Sequence, residues 1–265
     1  MLLTHQLVDL QQYPIDSLDT PQCLAQLDQW QQHFQDTGVC VLERFISQQT
    51  LTEMVREATE QVPSAYHSTV TGNAYLETSS DEFPAEHAKS LTETTSLGVV
   101  AYDQFADTSL IKKLYQWDAV LNLVRRIVGL DQLYRFACPL GALNLSVMQR
   151  DDYLRWHFDS CDFVVSIPIQ EAESGGVFEF SKNIRSFDNE NFEQVARLLR
   201  GDRSSVQTLT APAGSLILFK GRNTIHRVTR IAGDRARLYV LLGYAESPDV
   251  VSNDYLMKTR YGRTT

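Results

Sequence analysis

The chain of 265 residues contains no apolar run near the roughly 20 residues needed to cross a bilayer, which argues against a membrane-spanning helix. Its start, MLLTHQLVDLQQYPIDSL, lacks a basic segment followed by an apolar one, so no secretory signal is expected and the predicted location is cytoplasmic. Cysteine is scarce: Cys23, Cys40, Cys138 and Cys161 are far apart and form no CxxC pair, so neither a zinc ribbon nor a disulfide framework is expected. Positive charge is also short, with 24 Lys and Arg against 33 Asp and Glu and a formal charge of −9. Nucleic acid and anionic lipid need clustered cations and are not expected partners. The oligomeric state stays open, a homodimer being one option. Low-complexity sequence is nearly absent and the apolar content of 43% is an ordinary core supply, so one domain over 1–265 is expected.

What is present falls into two halves. Residues 1–130 read as helix-rich support and lid. Thr20 and Pro21 suit the N-cap and first position of a helix whose Leu24, Leu27, Trp30 and Phe34 recur at helical spacing, and Gly38 is placed to end it. A short strand at Val39–Leu42 follows, then a helix capped by Ser47 with the apolar stripe Leu51, Met54, Val55 and Ala58. A third helical stretch spans 109–128, broken near Asp118 and followed by Gly129. Residues 63–96 are polar and without clear period, which predicts a long surface loop or a lid.

Residues 131–265 read as the jelly-roll core. Short β-rich runs at Tyr134–Cys138, Ala142–Met148, Asp162–Ile169, Val177–Phe180, Val206–Leu209, Ser215–Phe219 and Arg237–Tyr244 are separated by turn-forming clusters. Gly175–Gly176 predicts a hairpin, Pro212–Gly214 a tight turn, and roughly Asn191–Leu199 a single interrupting helix. The expected fold is mainly β with flanking helices: a double-stranded β-helix, cupin-like, braced by N-terminal helices.

The chemistry concentrates in WHFDS (156–160) and NTIHRV (223–228). Alternation along an extended segment turns His157 and Asp159 the same way, with Cα atoms about 6.6 to 7 Å apart, close enough to converge on one ion. About 0.4 HxD steps are expected by chance in such a chain, so the motif needs its context. That context is a strand edge between two β-rich runs, the distal His226, and Arg237 eleven residues further on. Two imidazoles and one carboxylate can hold a single Fe(II) on one face, leaving its other positions open. Arg237 opens the run RLYVLLGY; pointing inward it needs an anionic partner such as a carboxylate, and pointing outward it shares a solvent face with 239, 241 and 243. The spacing from His226 favours the inward reading.

Other residues carry weaker signals. Asn144 and Ser146 share a strand face and are placed to bond a co-substrate or substrate, or else each other as a buried pair. Asp162 suits a substrate amine or a solvated turn, and Trp156 and Phe158 suit pocket walls or plain core. His67 and His87, in the polar stretch, are candidate substrate contacts or ordinary surface histidines, and Lys89 is a second candidate for an anion. Arg222 and Arg227 flank the distal histidine, and alternation turns Arg227 away from the metal toward a salt bridge.

The pattern His157, Asp159, His226 and Arg237 resembles the HxD/E…H…R of the Fe(II)/2-oxoglutarate-dependent oxygenases. Within them the chain is similar to the subfamily of free amino-acid radical halogenases and their hydroxylase relatives. The likeness is carried by AYHSTVTGNAYLE, SLGVVAYDQ, LYRFACPLGALNLSV, WHFDSCDFVVSIPIQEAESGGVFEF, NENFEQVARLLRGD and FKGRNTIHRVT, covering about 40 to 263. The resemblance implies Fe(II), with 2-oxoglutarate and O2 as co-substrates and succinate and CO2 as products. It further implies that Arg237 grips the distal carboxylate of 2-oxoglutarate. The halogenases place glycine where this chain has Asp159, leaving room for chloride, so hydroxylation of a small polar metabolite, a free amino acid or derivative, is the implied outcome here. The acidic residue of the lysine-type halogenases is missing from Leu140–Val147, which speaks against lysine. Two other readings stay open: a cupin-like protein that binds metal or senses a ligand without turnover, and a zinc or manganese isomerase or hydrolase.

Overall fold

Thr20 and Pro21 start helix α1 (Pro21–Thr37), where the threonine hydroxyl accepts the Cys23 N–H at 3.4 Å and Gly38 closes the helix at φ +75°. Positive φ costs glycine nothing, so the helix stops there. Ser47 caps α2 (Gln48–Gln61) in the same way, and Trp117 separates α3 (Leu110–Gln116) from α4 (Asp118–Val128). The computed structural model describes residues 4–77 and 82–265.

The strands preceding residue 131 are β1 (Val39–Leu42), β2 (Tyr66–Asn73) and β3 (Thr92–Val100). After it come β4 (Tyr134–Arg135), β5 (Leu143–Met148), β6 (Leu154–His157), β7 (Val164–Gln170) and β8 (Phe178–Ser181). The helix α5 (Phe192–Leu199) is followed by β9 (Gln207–Leu209), β10 (Leu216–Phe219), β11 (Ile225–Val228), β12 (Arg237–Leu242), β13 (Tyr244–Ala245) and a last helix, α6 (Asp254–Tyr261). Seven strands form the major sheet in the order β1-β10-β7-β12-β5-β3-β2, and four form the minor sheet, β6-β11-β8-β9. The pairings are antiparallel, as a jelly roll requires.

Alternation divides the major sheet between two jobs. On β12, Leu238, Val240 and Leu242 join Leu143, Leu145 and Val147 of β5 and Val165, Ile167 and Ile169 of β7 in the core against the helices. The intervening Arg237, Tyr239 and Leu241 stand in register with Met148, Ser146 and Asn144 and face the interior between the sheets. On the outer face of the minor sheet, α5 packs Val195 and Leu198 against Trp156 and Ile225.

Three expectations need correction. The polar stretch 63–96 is strand at both ends: β2 and β3 pair through all eight residues of β2, whose Thr- and Val-containing segment suits an edge strand with one wet face. The part of the expected lid at 78–81 lies outside the described residues. Gly175–Gly176 makes no hairpin, since β7 and β8 belong to different sheets; both glycines take positive φ in the crossing. And the N-terminal half is more than support, for it supplies β1, β2 and β3 to the major sheet.

Candidate metal centre

His157 closes β6 and stands directly opposite His226 on β11, with the ring centroids 4.2 Å apart. Each Nδ1 lies 2.9 Å from a backbone carbonyl two residues earlier, of Arg155 and Thr224 respectively. A carbonyl only accepts, so Nδ1 carries the proton and Nε2 presents its lone pair inward. Burial, reinforced by the neighbouring His226, holds the His157 imidazole well below the ordinary histidine range, so it stays a neutral ligand.

Asp159 completes the group. Its Oδ1 is 3.7 Å from His157 Nε2 and its Oδ2 is 3.4 Å from His226 Nε2, and one ligand atom from each residue falls within 4.8 Å of the others. Oδ2 is buried with no hydrogen-bond partner. An orphaned carboxylate oxygen is costly, and a cation between the three groups removes that cost. Two imidazoles and a carboxylate, all aimed at one point, fit Fe(II). The Gly221 carbonyl accepts the Asp159 N–H at 3.1 Å, and a Cβ at Gly221 would overlap the Asp159 carboxylate.

A cavity of about 120 Å³ joins this triad to Arg237. Arg237 is 4% exposed, its Nε has no hydrogen-bond partner, and its nearest acid, Glu171, is 4.0 Å away. The guanidinium lies 3.4 Å over the ring of Tyr239, whose hydroxyl donates to Glu171 at 2.5 Å. This stacked, half-matched cation is preorganised for one end of a dianion. Asn144 and Ser146 line the same cavity. A wider cleft of about 760 Å³ reaches Asp159 from outside past Tyr75, Phe158 and Arg185.

The other expected contacts divide differently. Trp156 is not a substrate wall: the alternation that turns His157 inward turns Trp156 out, under the Arg227 guanidinium at 4.7 Å and into the core beneath α5. His67 lies on β2 rather than in a lid and bonds Asp152 at 2.8 Å, away from the triad. Asp162 pairs with Arg222 at 2.9 Å on the wall of the wide cleft, so it is not a free acid beside the metal site. His87 stacks on Phe83 with centroids 4.3 Å apart, and Lys89 pairs with Glu77 at 3.0 Å. Arg227 pairs with Glu179 at 2.7 Å, as alternation predicts. Three contributors escape the sequence reading: Gly221, Tyr239, and Arg260 on α6, which lines the metal cavity. A signal for Tyr239 existed, two residues from Arg237 on the same face.

Residues 23–260 match the model of the family Halogenase D. No curated protein matches the chain. Among solved structures the fold is similar to AviO1 from Streptomyces viridochromogenes Tue57, with TM-score 0.57 and 13% identity over 84% of this chain and 96% of that one. It is also similar to HygX from Streptomyces hygroscopicus with nickel and 2-oxoglutarate bound, with TM-score 0.55 and 14% identity over 84% and 88% of the two chains. A third is a prolyl hydroxylase from Trichoplax adhaerens in complex with a hypoxia inducible factor peptide, with TM-score 0.52 and 14% identity over 87% and 96%. At these identities the likeness is one of fold, and it matches the jelly roll braced by helices that the sequence predicts.

Proposed function

The chain belongs to the Halogenase D family, and from that premise we propose that it is an Fe(II)/2-oxoglutarate-dependent hydroxylase of a small polar metabolite, a free amino acid or a derivative of one. The observation that carries this reading is Asp159, whose carboxylate faces both Nε2 atoms, Oδ1 toward His157 and the orphaned Oδ2 toward His226, where the resemblance to the halogenases implies that a glycine would leave room for a halide. His157, Asp159 and His226 would hold the metal, and Arg237, with Asn144 beside it, would receive 2-oxoglutarate. Bound Fe(II) with 2-oxoglutarate and O2 supplies the oxidation that converts an unactivated C–H bond to C–OH, releasing succinate and CO2.

The protein's own contribution is positional. The Arg155 and Thr224 carbonyls fix the tautomers, Tyr239 and Glu171 orient the guanidinium, and apolar side chains including Leu97, Val99, Phe178 and Phe219 exclude water from the cavity. Among the described residues no helix is long and apolar enough to cross a membrane, and the net charge of −9 gives no overall attraction to a polyanion. Both are compatible with a cytoplasmic enzyme acting on a small molecule.

The test is a screen of amino acids and their conjugates for succinate formation stimulated by substrate under Fe(II) and O2. A hydroxylated product from at least one compound supports the reading. Succinate formation that is absent with Fe(II), or equal with Zn(II), removes it in favour of a non-turnover metal binder or a hydrolytic site.

A further inference from the structure

Helix α6 carries Arg260 to a junction of three cavities around the metal triad. The first joins the triad to Arg237; the second lies between β2, β3 and α6 and reaches His157; the third opens on Asp159 beside Gly243 and Tyr244. Arg260 lines all three. The helix that presents it is well fixed. Asn253 accepts the Leu256 N–H at 2.9 Å, Met257 and Tyr261 are buried with Leu97, Val99 and Cys138, and Arg263 pairs with Asp103 at 2.6 Å.

The charges around this arginine do not balance. The arginines of the wide cleft and beside the distal histidine have acids: Arg222 has Asp162, Arg185 has Glu190 and Arg227 has Glu179. Among the described residues no such carboxylate is paired with Arg260, and Asp159 is the only acid lining any of the three cavities. Arg155 shares the second cavity and is likewise without a paired acid, but its hydrogen bonds are already made to the carbonyls of Val70 and Asn73 and the hydroxyl of Thr95, which leaves Arg260 as the arginine there free to bond a ligand. On the function proposed above, the two charges of the metal and that of Arg237 are met by Asp159 and the two carboxylates of 2-oxoglutarate. Arg260 is then a part-buried cation on the cavity wall with no paired acid, placed to bond a carboxylate.

We infer that the substrate is an anion whose carboxylate is received by Arg260, and that a substrate directing an ammonium group into these cavities is rejected. This rests on the proposed function and adds to it the charge class of the substrate and the residue that reads it. Arg237 serves the co-substrate and Arg260 the substrate, so the two arginines separate in experiment.

The protein loaded with nickel(II) and 2-oxoglutarate does not turn over and permits equilibrium calorimetry. The probes are the standard L-amino acids and their N-acetyl derivatives, each with its carboxamide. The tightest probe is expected to be a carboxylate, with its carboxamide about 10-fold weaker or more. Arg260→Gln is expected to weaken that acid about 10- to 100-fold, with Arg260→Lys recovering part of the loss and 2-oxoglutarate affinity unchanged in both. Thermal melts matching the parent protein show that the variants are folded. The inference is overturned if no acid binds better than its amide, if Arg260→Gln binds the acid as tightly as the parent, or if 2-oxoglutarate affinity falls with it. Failure of nickel and 2-oxoglutarate to bind the parent protein is a different result, and it removes the function together with the charge balance built on it.

Discussion

Each residue of the centre has a separable role. Asp159 contributes the one negative ligand, so Asp159→Gly is expected to abolish hydroxylation and open a metal position to chloride or azide, read as an azide-dependent change in the metal's spectrum. Hydroxylation that continues unchanged contradicts the triad. Arg237→Ala leaves one end of a dianion unmatched in a buried cavity and is expected to weaken 2-oxoglutarate by about 2 to 5 kcal/mol, measured by the same calorimetry. An unaltered affinity assigns the co-substrate elsewhere. Much of this was legible because a period of two places His157 with Asp159, and Arg237 with Tyr239. The same period accounts for what was misread: Trp156 is one step from His157 and so faces α5, while His67 alternates with Ser68 and lies off the cavity that Ser68 lines.

Among elements, β12 is the clearest case of a strand with two buried faces. Its apolar face anchors the helices and its other face builds the cavity, which is why its sequence reads as both core and site. The turn between β10 and β11 is set by close approach, because the Gly221 backbone abuts the Asp159 carboxylate. Gly221→Ala is therefore expected to displace that carboxylate and weaken metal binding about 10- to 100-fold, with the fold retained by circular dichroism. Equal metal affinity would show that the contact relaxes without consequence. Trp156→Ala is expected to cost about 3 to 5 kcal/mol in denaturant titration, since it empties the packing between the minor sheet and α5. Trp156→Phe, which keeps most of that packing, is expected to leave substrate-stimulated succinate formation unchanged, the result a substrate wall would not give. Helix α6 and strand β2 were hard to read for a shared reason: each buries few apolar residues. Within α6 only Met257 and Tyr261 are buried, and much of β2 is exposed, so neither carries a strong hydrophobic period.

At the level of the whole molecule, the minor sheet supplies His157 and His226 from paired strands, with Asp159 just after β6, and the major sheet supplies Arg237. A ligand shared by distant segments binds the folded state and not the unfolded chain, so divalent metal at 100 times its dissociation constant is expected to add about 2.7 kcal/mol of stability. In a chain of this size that corresponds to a rise of roughly 5 to 10 °C in Tm. His226→Ala should lose that rise, and a rise that persists places the metal outside the triad. The most direct measurement is a crystal structure of the protein grown with nickel(II) and 2-oxoglutarate. One metal bound by Nε2 of His157, Nε2 of His226 and the Asp159 carboxylate, with the far carboxylate of 2-oxoglutarate on Arg237, is the predicted result. A metal held by other residues, or a diacid that does not reach Arg237, would contradict it.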